Sequence, residues 1–143
     1  MSVESAPRVL ILWSNYYEAL AEQQRDICQA QLSDYDFDAQ FETVEAGTYE
    51  LPAVIQHFRQ HQPYDAYLPL SLLLQGSTDH YAFIWEHVKD CFKDFAMDGV
   101  LLGNGIISAP TKEILRERVA NGERTHEALE AIDYLTRLKR RLL

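Results

Sequence analysis

The sequence predicts an α/β protein, a three-layer α/β/α sandwich around a four-stranded parallel sheet. Three observations carry this reading. The apolar period switches repeatedly between strand-like and helix-like segments along the chain. Each strand-like run is followed by an amphipathic stretch of helix length. Each connection is long enough for a right-handed crossover between parallel strands.

Residues 8–13 (RVLILW) form a short unbroken apolar run, suited to a strand buried on both faces. Ser14 then offers a cap, and residues 16–32 keep helical spacing at Leu20, Cys28 and Leu32. Residues 37–44 (FDAQFETV) alternate apolar and polar, which reads as a second strand nearer an edge. Ala46-Gly47-Thr48 turns the chain, and residues 50–61 read as a helix. Its Pro52 sits in the first turn, where a missing N–H costs nothing. Residues 65–74 (DAYLPLSLLL) are a third buried strand, with Pro69 marking a bulge or a strand end. Gln75-Gly76-Ser77 breaks it. Residues 78–95 follow as a long amphipathic helix with Tyr81, Ile84, Val88 and Phe92 on one stripe. Residues 99–105 are read as the fourth strand and its loop. Residues 110–121 and 124–142 are two further helices, separated at Asn121-Gly122. Lys139-Arg140-Arg141 suits the negative end of the last helix dipole.

Composition bounds the function. The chain has 143 residues, 47% hydrophobic and 24% charged, as expected of one folded domain over 1–143 with residues 1–7 as a flexible N-terminal arm. Its net charge of −9 argues against a nucleic-acid backbone or an anionic membrane as the main partner. Cys28 and Cys91 lie outside any CxxC pair and read as two reduced thiols. The N-terminal apolar run is too short for a signal peptide, and no stretch approaches the ~20 apolar residues of a membrane span. The expected compartment is the cytoplasm.

Ligands of parallel α/β sheets sit at the carboxyl ends of the strands. That places a candidate site on four segments: 14–17, 46–50, 72–80 and 104–109. The first, with Tyr16-Tyr17, lacks a glycine-rich phosphate fingerprint but offers an aromatic platform, unless one ring simply packs. In the second, Glu50 either complements a helix dipole or accepts hydrogen bonds from ligand hydroxyls. In the third, Ser77 and Thr78 can cap a helix whose N–H groups cradle an anion, and His80 is placed for proton transfer near neutral pH. Capping alone would also explain that string. In the fourth, Gly103 and Gly105 bracket Asn104, which suits close approach to a ligand or another subunit. Arg116 and Arg118 follow as cations that either pair with Glu113 and Glu117 or hold a phosphate. His57 and His61 have metal-ligand spacing, but no Cys, Asp or Glu completes a set, so no metal site is expected.

Three strings occur in order on these segments: Gly47-Thr48-Tyr49-Glu50-Leu51-Pro52, Gly76-Ser77-Thr78-Asp79-His80-Tyr81 and Gly103-Asn104-Gly105-Ile106-Ile107-Ser108. Together they resemble the 6,7-dimethyl-8-ribityllumazine synthase family (riboflavin synthase beta chain) over nearly the whole chain, as a divergent member. The first is similar to the family's Gly-Ala-Phe/Tyr-Glu-Ile/Leu-Pro, the second to its Gly-x-Thr-x-His-Phe/Tyr. The resemblance implies a flavodoxin-like fold and a cytoplasmic transferase of riboflavin biosynthesis. It would condense 5-amino-6-(D-ribitylamino)uracil with 3,4-dihydroxy-2-butanone 4-phosphate. It implies no cofactor and no metal. It further implies a homopentamer or a multiple of it, with sites between subunits, and riboflavin synthase as a further partner.

It also implies roles. Tyr16 would stack on the pyrimidine. Thr48, through its backbone, and Glu50, through its carboxylate, would hold the ribityl chain. Leu73 and Leu74 would offer backbone groups to the ring. Ser77 and Thr78 would bind phosphate, and His80 would transfer protons. Arg118, ten positions after Ser108, would reach the phosphate of a neighbouring subunit's site, and Asn104 would close that pocket.

The chain departs from the family pattern at Tyr16-Tyr17 (Phe-Asn), Ser71 (Gly), Gln75 (Arg) and Glu123-Arg124 (Lys-Gly), and in a shorter segment after Arg118. Those departures keep a second reading open: a weakly active or inactive paralogue serving as a lumazine- or flavin-binding oligomeric scaffold.

Overall fold

The computed structural model describes residues 5–76 and 79–143. Strands β1 (Arg8–Ser14), β2 (Asp38–Val44), β3 (Ala66–Leu74) and β4 (Gly105–Ala109) form one sheet in the order β2-β1-β3-β4, every pair parallel. Helices α1 (Glu18–Gln31), α2 (Leu51–His61), α3 (His80–Met97), α4 (Lys112–Ala120) and α5 (Glu123–Leu142) connect and follow them. This is the expected flavodoxin-like α/β/α arrangement, with β2 at an edge as its alternating pattern requires.

Strand alternation divides the core into two layers. Val9, Ile11, Leu68 and Leu70 point to one face, against Ala21 and Cys28 of α1 and Ala128, Leu129 and Ile132 of α5. Further along the same face, Leu72 and Ile107 meet Leu115 and Val119 of α4. Leu10, Leu12, Tyr67 and Leu73 point to the other face, against Leu51 and Ile55 of α2 and Ile84 and Val88 of α3. Cys28 is buried and Cys91 half-buried on opposite layers, and both are free thiols. Of the expected arm at residues 1–7, residues 1–4 lie outside the described residues. Pro7 is buried and its carbonyl accepts the Asp38 N–H at 2.9 Å, while the Ser5 carbonyl accepts from the Arg140 guanidinium.

The structure corrects three local readings. Ser14 does not cap α1; its hydroxyl donates to the Ala46 carbonyl, and α1 begins only at Glu18. Pro69 neither ends nor bulges β3, which runs through it. The fourth strand is not 99–105 but Gly105–Ala109, so the expected fourth loop is mostly strand.

The last two corrections share one cause. Tyr67 donates its N–H to the Leu101 carbonyl at 2.9 Å and accepts the Gly103 N–H at 3.0 Å, so its backbone faces the β4 side. By alternation so does that of Pro69, which has no N–H to give. The ladder therefore opens after an isolated bridge at Leu102 and resumes at Gly105, opposite Leu70.

Candidate active site

The carboxyl ends of β1, β2 and β3, with the start of α3, enclose a cavity of about 780 Å³. Tyr16, Thr48, Glu50, Leu73, Leu74 and His80 all line it. Six positions spread from 16 to 80 in the sequence thus share one wall, because three parallel strands deliver their loops to the same end of the sheet.

Each is held by local structure. Tyr16 is 70% exposed and stands edge-to-face on Tyr17, with ring centroids 5.1 Å apart. Tyr17 is half-buried; burial pushes its hydroxyl above the ordinary tyrosine pKa. Tyr16 adds to that shift, and a hydrogen bond to the Leu74 backbone opposes it. Tyr17 therefore stays a neutral phenol beside the cavity at physiological pH. Thr48–Glu50 is a single 3₁₀ turn leading into α2. Glu50 is exposed, and its Oε2 accepts the Gly47 N–H at 3.1 Å, which orients the carboxylate at the cavity edge. Thr48 is buried, and its hydroxyl meets Ser71 at 2.7 Å. His80 is exposed in the first turn of α3, with Asp79 as the preceding cap residue. Ser77 and Thr78 lie outside the described residues.

Asn104 and Arg118 do not join this cavity. Asn104 lies at the opposite, amino end of β4, where its Oδ1 accepts the Ile106 N–H at 3.0 Å. It lines a second, largely apolar groove of about 670 Å³ with Trp85, Phe92 and Leu102. Arg118, in the last turn of α4, donates from its guanidinium to the Ser108 carbonyl. Among the described residues lining the first cavity there is no Lys or Arg, whereas Glu45 and Glu50 are both present.

Four further lining residues, Tyr49, Tyr81, Phe83 and Ile84, were given no role at the site by the sequence. Tyr81 and Ile84 fall on the apolar stripe of α3. That stripe covers core at one end and cavity at the other. Phe83 and Tyr49 stack in parallel with centroids 5.6 Å apart, and Tyr49 stacks on His87 at 4.0 Å. Adjacency to Glu50 and His80 was the available signal. His57 and His61 stack on one another on α2 at 6.3 Å, and among the described residues no group of three or more His, Cys, Asp or Glu side chains is arranged to hold a metal. No helix among them is long and apolar enough to cross a membrane.

A family model described as 6,7-dimethyl-8-ribityllumazine synthase matches residues 6–140. A 6,7-dimethyl-8-ribityllumazine synthase of Azorhizobium caulinodans is 33% identical over 142 residues, covering 94% of this chain and 87% of the relative. One from Nitrobacter winogradskyi is 31% identical over 96% of this chain and 89% of its own length. One from Jannaschia sp. is 28% identical over 85% of this chain and 67% of its own length. With the match spanning both core layers and the cavity at the carboxyl ends of the strands, the chain belongs to the 6,7-dimethyl-8-ribityllumazine synthase family, transferases of riboflavin biosynthesis.

Proposed function

We propose that the protein catalyses the condensation of 5-amino-6-(D-ribitylamino)uracil with 3,4-dihydroxy-2-butanone 4-phosphate in the 780 Å³ cavity. The observation that carries the assignment of the site is the convergence of Tyr16, Thr48, Glu50, Leu73, Leu74 and His80 on that one cavity. In this reading Tyr16 stacks on the pyrimidine, and the Leu73 and Leu74 backbone meets its edge. The Thr48 backbone and the Glu50 carboxylate hold the ribityl hydroxyls. Ser77 and Thr78 take the phosphate.

The amine and ketone lose water to form an imine, phosphate is eliminated, and ring closure expels a second water. His80 moves protons between these steps. Most of the acceleration comes from holding two substrates in reacting distance.

The phosphate needs a cation that the described lining of the cavity lacks. We place it on a neighbouring copy: Arg118, at the open edge of β4, with Asn104 closing the pocket from the groove it lines. A cytoplasmic homopentamer, or a multiple of it, is the assembly that fits, with residues 1–143 acting as one domain and 1–7 as its arm. Riboflavin synthase, which consumes the product, is the further partner this reading suggests.

The same deficit of positive charge favours a second reading, a scaffold that retains a lumazine or flavin with little turnover. The test is lumazine formation followed by absorbance, with His80→Ala and Arg118→Ala alongside. Formation well above the spontaneous rate, reduced at least tenfold in both variants, supports the synthase. A background-level rate with verified substrates overturns it, and yellow or fluorescent purified protein then supports the scaffold.

A further inference from the structure

Two buried hydroxyls stand between the halves of the cavity wall. Thr48 Oγ1 and Ser71 Oγ are 2.7 Å apart, at 4% and 1% exposure, and either can donate. Thr48 Oγ1 also lies 3.5 Å from the Leu72 carbonyl. Ser71 is in β3 just before Leu72, Leu73 and Leu74, which form one side of the cavity. Thr48 opens the 3₁₀ turn that forms the other. Three further hydrogen bonds of the turn are local: Glu50 N–H to the Gly47 carbonyl at 3.3 Å, Gly47 N–H to Glu50 Oε2 at 3.1 Å, and Leu51 N–H to the Thr48 carbonyl. Beyond it, Leu51 is fully buried, so packing secures the C-terminal side. At the N-terminal side the Ser14 hydroxyl holds the Ala46 carbonyl to β1, and the hydroxyl pair, spanning 23 residues, joins the turn itself to β3.

We infer that Thr48 and Ser71 are positioning residues: their hydroxyl–hydroxyl bond sets the distance between the Thr48–Glu50 turn and the end of β3, and so the fit of the ribityl-bearing substrate. The role in substrate fit rests on the proposed reaction. The tie itself does not. Neither hydroxyl has to touch substrate. A buried hydroxyl that loses its partner keeps its full desolvation penalty, and the turn relieves this by moving away and admitting water. A displacement of about 1 Å at the cavity edge is enough to weaken binding strongly.

The test compares Thr48→Ser, which keeps the hydroxyl, Thr48→Val, which keeps the shape without it, and Thr48→Val/Ser71→Ala, which removes both. Thr48→Val is expected to raise KM for the ribitylaminouracil about fivefold or more, the size of one ordinary net hydrogen bond, with kcat within about twofold. Thr48→Ser, which keeps the hydroxyl, brings KM back toward wild type relative to Thr48→Val. The double variant regains thermal stability, because no orphaned hydroxyl remains, yet keeps the raised KM. A purely structural role would have KM recover together with the melting temperature. Such joint recovery, or an unchanged KM in Thr48→Val, overturns the role in substrate fit.

Amide hydrogen exchange of Thr48–Glu50 reads the tie without turnover. It should be about fivefold faster in both valine variants and unchanged in Thr48→Ser. Unchanged exchange in Thr48→Val overturns the tie. A wild type that makes no lumazine overturns the proposed reaction instead, and exchange still decides whether the two hydroxyls hold the wall.

Discussion

Gly105→Ala should be among the most damaging single-methyl additions to this protein. Gly105 opens β4 opposite Leu70 of β3. A Cβ there would lie 2.5 Å from the Pro69 carbonyl oxygen, 2.6 Å from Leu70 Cδ2 and 3.3 Å from Leu68 Cδ1. The leucine tips could rotate only into a face that is already filled, since both residues are fully buried. The Pro69 carbonyl cannot retreat at all: it belongs to β3, which is paired on its far side to β1 at Leu12. Overpacking a well-filled core costs about 1–3 kcal/mol. A backbone atom as the obstruction puts this case at the upper end, about 3 kcal/mol. At about 4 °C per kcal/mol for a domain near this size, the melting temperature should fall by about 12 °C. The assay is thermal denaturation followed by far-ultraviolet circular dichroism, with Gly47→Ala as the matched control. Gly47 has φ −91° and ψ −172°, which any residue adopts, and its added Cβ meets nothing closer than Glu50 Oε2 at 3.5 Å. The control should melt within about 2 °C of wild type. A Gly105→Ala protein that melts with the control would refute the argument that β3 and β4 are locked at this contact.

Other consequences are measurable in the same way. Gln24, 1% exposed on α1, donates to the Gly105 carbonyl at 2.7 Å, so Gln24→Leu should lower stability by about 1–3 kcal/mol in a urea titration. Arg25 stacks over Trp13 with its guanidinium carbon 4.6 Å from the ring centroid; Arg25→Ala should cost about 0.5–1 kcal/mol and alter Trp13 fluorescence. Burial pushes the Cys28 thiol up to about 12 from 9.0, so the folded state holds that proton more tightly than the unfolded state. The stability this contributes is complete below pH 9 and is lost as pH rises toward 12; Cys28→Ala should flatten that part of the stability profile. At pH 8 an alkylating reagent should modify Cys91 before Cys28. Burial raises both thiols, but Cys91 is only half-buried.

Periodicity located most elements because the two core layers impose it. β1 and β3 are buried on both faces and show as unbroken apolar runs; β2, at the edge, alternates. β4 escaped because its signal is non-local. Leu101 and Leu102 look as strand-like as Ile106 and Ile107, and what separates them is a proline in another strand that offers no N–H at the level of Gly103. The start of α1 escaped for a similar reason. Ser14 has the chemistry of a cap, but its hydroxyl is taken by the Ala46 carbonyl across the sheet.

At the cavity, Tyr16, Glu50 and His80 were legible because turns and helix starts place polar or aromatic side chains at strand ends. Tyr49 and Phe83 were not, since their stacking depends on how two loops meet. That the Thr48 hydroxyl meets Ser71 was equally invisible, because the pairing joins residues 23 positions apart.

The packing of α5 has a consequence for how the protein is made. Val9, Ile11, Leu68 and Leu70 are covered on one face by Ala128, Leu129 and Ile132. During synthesis the strand residues emerge first, and at roughly 5–20 residues per second that face waits several seconds for its cover. Through that interval the nascent chain presents an apolar face on two adjacent strands, Val9 and Ile11 of β1 with Leu68 and Leu70 of β3. Exposed apolar surface of that kind makes a partly made chain prone to aggregate. A premature stop near Gly122 would accordingly produce an aggregating chain in place of a smaller folded one.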